Sequence, residues 1–249
     1  MSIELLPQGD QALVMRFGAA PGATPHQRVL GFCQGLERSR AQGNPHGIAE
    51  WLPAAETVTL IFDDTADEAQ ASARDAGLLE LAHAAAPATS SGRGWRLPAC
   101  FDAEFAPDLA AVAAAHQRTP EAIVQALLDT PLQVLLLGFQ PGFPYMGELP
   151  PHCRVPRLAS PRRQVPERSI AVAGAMCAIY PWASPGGWHL VGRTPVRLFD
   201  PREPEPAWLR AGDGVQWQPV SRAEYDTLEQ QARDGQLRRE RFLTRPKAA

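Results

Sequence analysis

The sequence predicts an α+β protein of two domains: a small ferredoxin-like α+β domain over residues 1–88, then a closed or nearly closed β-barrel domain over residues 89–249 with a C-terminal helix and tail. Three observations carry this. Of the 25 prolines, about twice the usual share of about 5%, thirteen fall between Pro141 and Pro206. Proline fixes φ and removes a backbone donor, so that stretch should be short strands between rigid loops rather than helix. The first 85 residues instead alternate strand-like and helix-like patterns. Between the two regimes Ala86 to Gly94, APATSSGRG, reads as a flexible connector.

In the first domain Ala12 to Phe17 (ALVMRF) has strand character after the Gly9-Asp10 turn. Thr24 before Pro25 is a helix start with a capping oxygen and a pre-set φ, and the helix to about Arg38 puts Val29, Phe32 and Leu36 on one face. Ile48 to Leu52 and Thr57 to Phe62 are strands joined at Pro53-Ala54-Ala55, and Thr65-x-x-Glu68 opens a helix to about Ala85. Trp95 to Cys100 either completes the split β-α-β unit or begins the second domain, and its place after the connector favours the second.

Further on, Asp108 to His116 and a segment from Thr119-Pro120-Glu121 to about Leu128 are helices, and Gln133 to Leu137 is a buried strand. Ser169 to Ala173, Cys177 to Tyr180, His189 to Val191, Val196 to Phe199 and Val215 to Gln218 are five short strands, the basis of the barrel expectation. Ser221-x-x-Glu224 caps a last amphipathic helix, and the arginine-rich tail from Gln236 reads as solvated.

Composition narrows the function. At 249 residues, 45% hydrophobic and 20% charged, the chain can bury cores, which excludes disorder as its main state. A formal net charge of −3, from 24 basic and 27 acidic residues with no strongly basic block, argues against nucleic acid as a partner. No charge-free apolar run of 18 residues exists and MSIELLPQGD lacks the features of a signal peptide, so the expectation is a cytoplasmic protein with no membrane role. Cys33, Cys100, Cys153 and Cys177 are far apart and form no C-x-x-C, and the six histidines have no H-x-x-H or H-E-x-x-H spacing, so neither disulfides nor a metal site is expected. No G-x-x-x-x-G-K-[ST], G-x-G-x-x-G or G-x-S-x-G is present; any nucleotide should sit mainly on another polypeptide of a complex.

Two segments stand out. In Gly138-Phe139-Gln140-Pro141-Gly142-Phe143-Pro144-Tyr145-Met146-Gly147, rings alternate with glycine and proline, which suits either a binding wall or a packed barrel corner. In Ser184-Pro185-Gly186-Gly187-Trp188-His189-Leu190-Val191-Gly192-Arg193-Thr194-Pro195, the glycine pair can bring backbone N–H groups to an anion while Arg193 clamps a carboxylate or phosphate. The same residues also fit a Gly-Gly hairpin with Trp188 in the core, and His189 fits either an acid–base role or a hydrogen-bonded barrel histidine. From Arg154 to Pro166 four arginines stand among three prolines, displayed for an anion or simply solvated; Arg162 and Arg163, nearer the next strand, are the better candidates.

These segments carry a family resemblance. Leu6 to Leu13 (LPQGDQAL), Leu97 to Cys100, Glu104 to Leu109 (EFAPDL), GFQPGFPYMG, the P-R-x-x-x-P-R pattern from Pro156, Val165-Pro166, Ile179-Tyr180-Pro181 and SPGGWHLVGRTP resemble the KipI family. That family comprises the B component of 5-oxoprolinase, the first subunit of allophanate hydrolase and a sporulation kinase inhibitor. The resemblance runs to about Val220. It implies a small α+β domain followed by a cyclophilin-like β-barrel, acting beside a homologous C-type protein and an A-type protein. The implied reaction is ATP-dependent opening of a small cyclic amide, 5-oxoproline, to glutamate, with ATP held mainly by or shared with a partner and no metal.

On this resemblance the Gly186 and Gly187 amides and Arg193 would hold the substrate carboxylate or the developing oxygen charge, and Phe143, Tyr145 and Trp188 would wall the ring. His189 would move a proton, and Phe139, Pro141, Gly142, Arg162, Arg163, Ser184 and Thr194 would complete the site. The chain departs from the family at Ala175-Met176-Cys177-Ala178, where an amide and a hydroxyl are usual, at Leu127-Leu128 in place of His-Thr, and at Asp102-Ala103 in place of a glycine pair. The alternatives to the enzyme component are a regulatory module that inhibits a sensor histidine kinase and a diverged component of the allophanate or urea amidolyase type.

Overall fold

The structure is a computed structural model that describes residues 2–43, 46–63, 68–88 and 92–244. Thr65 of the expected cap, connector residues 89–91 and tail residues 245–249 lie outside the described residues. Contacts group the chain into two compact units, Met1–Ser91 and Gly92–Ala249, each with its own hydrophobic core.

The first unit runs β1 (Ile3–Gln8), β2 (Ala12–Phe17), α1 (Pro25–Ala41), β3 (Ile48–Pro53), β4 (Thr57–Phe62) and α2 (Glu68–Ala84). Its antiparallel sheet has the order β1-β2-β4-β3. α1 starts where Thr24 Oγ1 accepts from Gln27 N–H and Gln27 Oε1 accepts from Thr24 N–H, with Pro25 in its first turn. Val29, Phe32 and Leu36 are buried with Met15, Phe17, Val58 and Leu60 of the sheet in one core. The chain order departs from the ferredoxin-like expectation. β2-α1-β3 with β4 between is a split unit, but the place beside β2 that a strand after α2 would fill is held by β1, which precedes β2. Pro7 conceals this strand in the sequence, yet β1 lies at the sheet edge, where a missing donor is tolerated.

The second unit contains β5 (Gly94–Ala99), α3 (Leu109–Ala115), α4 (Pro120–Asp129), β6 (Leu132–Leu137), β7 (Pro144–Gly147), β8 (Arg162–Val165) and β9 (Ser169–Ala173). β10 (Met176–Ile179), β11 (Ser184–Gly186), β12 (His189–Arg193), β13 (Gly214–Pro219), α5 (Arg222–Arg233) and β14 (Leu243–Thr244) follow. An eight-stranded sheet has the order β12-β9-β10-β7-β6-β13-β5-β14, and β8 pairs with β11 apart from it. One face of the large sheet buries Leu97, Val134, Met146, Val172, Cys177, Ile179 and Val191 with α3 and α4. The other carries Ala171, Ala178 and Leu190 with Phe143, Val165, Tyr180 and Trp188.

The expected closed barrel is not found. β12 and the end of β5 meet at one antiparallel bridge, Cys100↔Arg193, with both N–H···O bonds at 2.9 Å. The ladder stops there because Pro195 offers no donor and the chain after Cys100 enters a turn in which Phe105 and Ala106 N–H bond Asp102 O. Val196 to Phe199 is likewise no strand: Val196 and Leu198 are buried alternately, which mimics one, but only Phe199 forms a bridge, to Ala207. Conversely, β7 lies inside the segment where rings alternate with glycine and proline, and β8 inside the proline-spaced arginine segment.

Candidate functional site

β12 explains where its arginine points. Along the pairing with β9, His189 faces Val172 and Leu190 faces Ala171, but Gly192 faces Ile170, so two residues of β12 oppose one of β9. This bulge shifts the alternation by one residue and puts Arg193 opposite Ser169, on the face of Leu190 rather than in the main core. A Cβ on Gly192 would sit 3.0 Å from Cys100 O and 3.1 Å from the Phe101 ring, so the bulge depends on a glycine there.

The result is a cleft of about 200 Å³ lined by Glu104, Phe105, Pro107, Arg162, Gln164, Pro166, Ser169, Leu190 and Arg193. Arg193 Nε donates to Glu167 O at 3.0 Å, and the guanidinium lies 5.5 Å from the Phe105 ring centre. Its two terminal nitrogens have no protein partner among the described residues. Arg162 is bound more tightly. Its Nη2 donates to Asp108 Oδ1 at 2.6 Å, and Asp108 Oδ2 accepts from Leu190 N–H at 2.6 Å. Asp108 thus fixes Arg162 and β12 together and neutralises one guanidinium, while Arg193 keeps a fork of donors for an incoming anion.

Of the expected residues, Arg162 and Arg193 come together here, and the others do not line this cleft. Gly186 and Gly187 lie outside this cleft and lack the left-handed geometry of a glycine anion nest. Neither has a positive φ, Gly187 O accepts from Leu158 N–H at 2.8 Å, and a Cβ on Gly186 would lie 2.3 Å from the Tyr180 hydroxyl. Gly186 is a packing residue that lets β11 lie on the Tyr180 ring. Gly186→Ala should therefore cost about 1–3 kcal/mol of stability by overpacking and leave anion binding at Arg193 unchanged; a melting temperature equal to that of the parent contradicts this role.

Phe143 and Trp188 are buried and Tyr145 half-buried in an aromatic cluster with Tyr180, with ring centres of 4.9 to 6.3 Å from pair to pair. They are a core on the sheet's second face rather than an open wall. Phe139, with φ of 67°, is 63% exposed and meets Phe143 edge-on at 5.3 Å. Pro141 is exposed, and Gly142, at φ 78°, is buried with the site of its absent Cβ 2.6 Å from Phe199 Cβ. Ser184 is buried with its Oγ unpartnered, Arg163 is exposed, and Thr194 is fully buried with Oγ1 accepting from Val196 N–H at 3.3 Å.

His189 lies on the face of β12 opposite to Leu190. Its Nε2 meets Pro156 O at 3.1 Å and its buried Nδ1 has no partner. Phe105, Asp108, Gln164 and Ser169 are site residues that sequence reasoning misses. Phe105 and Asp108 lie in EFAPDL, and that segment's adjacency to β12 emerges only in the fold.

No group of three or more histidine, cysteine or acidic side chains that could hold a metal is found among the described residues. The four cysteines are free and buried. Burial, with Glu37 adding, pushes the Cys33 thiol up to about 12, and burial also raises those of Cys100, Cys153 and Cys177. The thiolate is the reactive form, so the native protein should leave all four unmodified by a colorimetric thiol reagent at neutral pH and yield four thiols only after denaturation. One fast native equivalent contradicts this.

The chain is a carboxyltransferase-type domain. Residues 3–209 match the family described as carboxyltransferase domain, subdomains C and D, and the chain belongs to that family. It is 31% identical over 234 residues, covering 90% of this chain and 95% of the relative, to a Bacillus subtilis (strain 168) protein named as the B component of 5-oxoprolinase. A Haemophilus influenzae protein of the same name is 44% identical over 126 residues, 51% of this chain and 59% of that one. Among solved structures, TTHA0988 aligns with a TM-score of 0.69 at 31% identity over 85% of this chain, which spans 40% of that longer chain. The Kluyveromyces lactis urea amidolyase shares the fold at a TM-score of 0.73 and 17% identity, over 97% of this chain and 16% of that one.

Proposed function

We propose that the chain is the B-type component of a cytoplasmic, ATP-dependent 5-oxoprolinase complex, and that the Arg193 cleft receives the carboxylate of 5-oxoproline. The observation that supports this most is convergence. Glu104, Phe105 and Pro107 of EFAPDL, Arg162 of the proline-arginine pattern, Pro166 of Val165-Pro166, and Leu190 and Arg193 of SPGGWHLVGRTP all border one cleft. Segments far apart in the chain thus meet around one guanidinium with free donors. None of the departures from the family lines the cleft: Leu127 and Cys177 are in the main core, Ala178 is in the aromatic core, and Asp102 O holds the turn that carries Phe105.

Opening a lactam needs its oxygen activated, because an unstrained amide is a poor electrophile and its amine leaving group stays tethered. In this reading phosphoryl transfer from ATP supplies the activation on a homologous C-type or an A-type partner, since this chain encodes no phosphate-binding loop. The chain itself contributes binding: Arg193 takes the carboxylate as a fork, Phe105 stacks beside it, and Asp108 keeps Arg162 from drifting into the anion's place.

The test is co-expression with the A-type and C-type partners, co-purification, and an assay for ATP hydrolysis that depends on 5-oxoproline, with allophanate run in parallel. The reading expects turnover with 5-oxoproline by the assembled complex only. Turnover with allophanate alone, or a complex inert to both, contradicts it.

A further inference from the structure

Arg193 is seated on a turn that α5 holds from behind. Between β8 and β9, Arg168 has φ of 65° and is 6% exposed. A bulky residue keeps that left-handed conformation only where its surroundings over-determine it. Its guanidinium pairs with Glu229 of α5 at 2.6 Å and with Glu167 at 3.1 Å, and Nη1 donates to Pro195 O at 3.3 Å. Arg168 O accepts from Thr194 N–H at 3.0 Å, and its own N–H donates to Tyr180 O.

These contacts bracket Arg193. The two residues after it, Thr194 and Pro195, both bond Arg168, and Arg193 Nε donates to the carbonyl of Glu167, the residue before Arg168. One turn earlier on α5, Tyr225 packs on Phe105 at 4.5 Å, the same ring that flanks the Arg193 guanidinium. The cation and the aromatic wall of the cleft therefore both lean on α5 side chains that do not line it. Glu229 also meets Arg233 at 2.8 Å, one helical turn on, so its carboxylate joins the helix to the turn.

We propose that Glu229, acting through Arg168, is a positioning residue for Arg193, and that α5 thereby sets the cleft's affinity for its anion. This rests on the reading of Arg193 as the carboxylate-binding residue. In the purified complex, Glu229→Gln, which keeps shape and removes charge, should raise KM for 5-oxoproline about tenfold and leave kcat within about twofold. Glu229→Asp should restore most of the KM, and Arg168→Lys should behave like Glu229→Gln because a point charge cannot span Glu229, Glu167 and Pro195 O at once.

In an Arg193→Ala background Glu229→Gln should change KM no further, since no guanidinium is left to position; a merely structural effect would add independently. Circular dichroism and melting curves verify that each variant is folded. A parental KM in folded Glu229→Gln, or a KM effect undiminished in the Arg193→Ala background, overturns the positioning role. A parental KM in Arg193→Ala overturns instead the carboxylate reading of the cleft, so the two failures are distinguishable.

Discussion

Arg193→Ala in the assembled complex should raise KM for 5-oxoproline about 100-fold while the fold and the melting temperature stay close to those of the parent. The magnitude follows from the two terminal nitrogens. Hydrogen bonds to charged groups contribute about 1.5–3 kcal/mol each, and loss of about 2.7 kcal/mol of net binding is about a factor of 100. Stability is spared because the guanidinium has no carboxylate partner among the described residues, and the Cys100↔Arg193 bridge is a backbone feature that alanine keeps. Arg193→Lys should recover only part of the binding, since an ammonium is a point charge rather than a planar fork. Steady-state kinetics on the purified complex checks both variants, and a KM within about threefold of the parent for alanine removes Arg193 from the site.

Asp213→Ala should give the largest stability loss. Asp213 is 2% exposed, and its carboxylate accepts from Arg93 N–H at 2.8 Å, Arg93 Nη2 at 2.9 Å, Trp95 Nε1 at 2.9 Å and Arg210 N–H at 3.0 Å. Its carbonyl accepts from Val134 N–H at 2.8 Å, so one residue ties β5, β6 and the loop before β13. Alanine strands an indole N–H and two backbone donors and leaves a guanidinium beside them. Breaking a buried pair costs about 3–5 kcal/mol; Arg93, whose side chain is 31% exposed, recovers part of its hydration, so about 3 kcal/mol is expected. At about 2–4 °C per kcal/mol for a unit of this size, the melting temperature falls by about 10 °C. Asp213→Asn, which keeps one acceptor oxygen, should fall between. A drop under about 2 °C for alanine, read by circular dichroism, contradicts the hub.

Where local chemistry decides the structure, the residues announce it. Thr24 caps its helix with the hydroxyl oxygen the sequence offers, and Ser221-x-x-Glu224 caps its own by the predicted reciprocal bonds. The strands that alternate cleanly, such as Thr57–Phe62, are where their pattern puts them. Misreadings arise where a pattern has two physical causes. Val196 and Leu198 alternate in and out of the core without a ladder, and the proline-spaced arginines conceal β8 because its partner β11 is about twenty residues away. The site behaves the same way. Arg162 and Arg193 are readable as anion-binding types, but which face Arg193 takes depends on a bulge that moves it by one register position, and no composition signal encodes that. Gly186 and Gly187 look like a cradle because glycine serves close packing and ligand approach equally, and at Gly186 the Tyr180 hydroxyl decides in favour of packing. Asp108 is invisible as a site residue in the sequence because both its partners, Arg162 and Leu190, are distant along the chain.

A crystal structure of the purified complex with 5-oxoproline bound decides whether Arg193 holds the substrate carboxylate. The substrate carboxylate should lie in the cleft between Phe105 and Ser169, its oxygens about 2.7–2.9 Å from the terminal nitrogens of Arg193. Substrate held elsewhere, with those nitrogens facing only water, contradicts it.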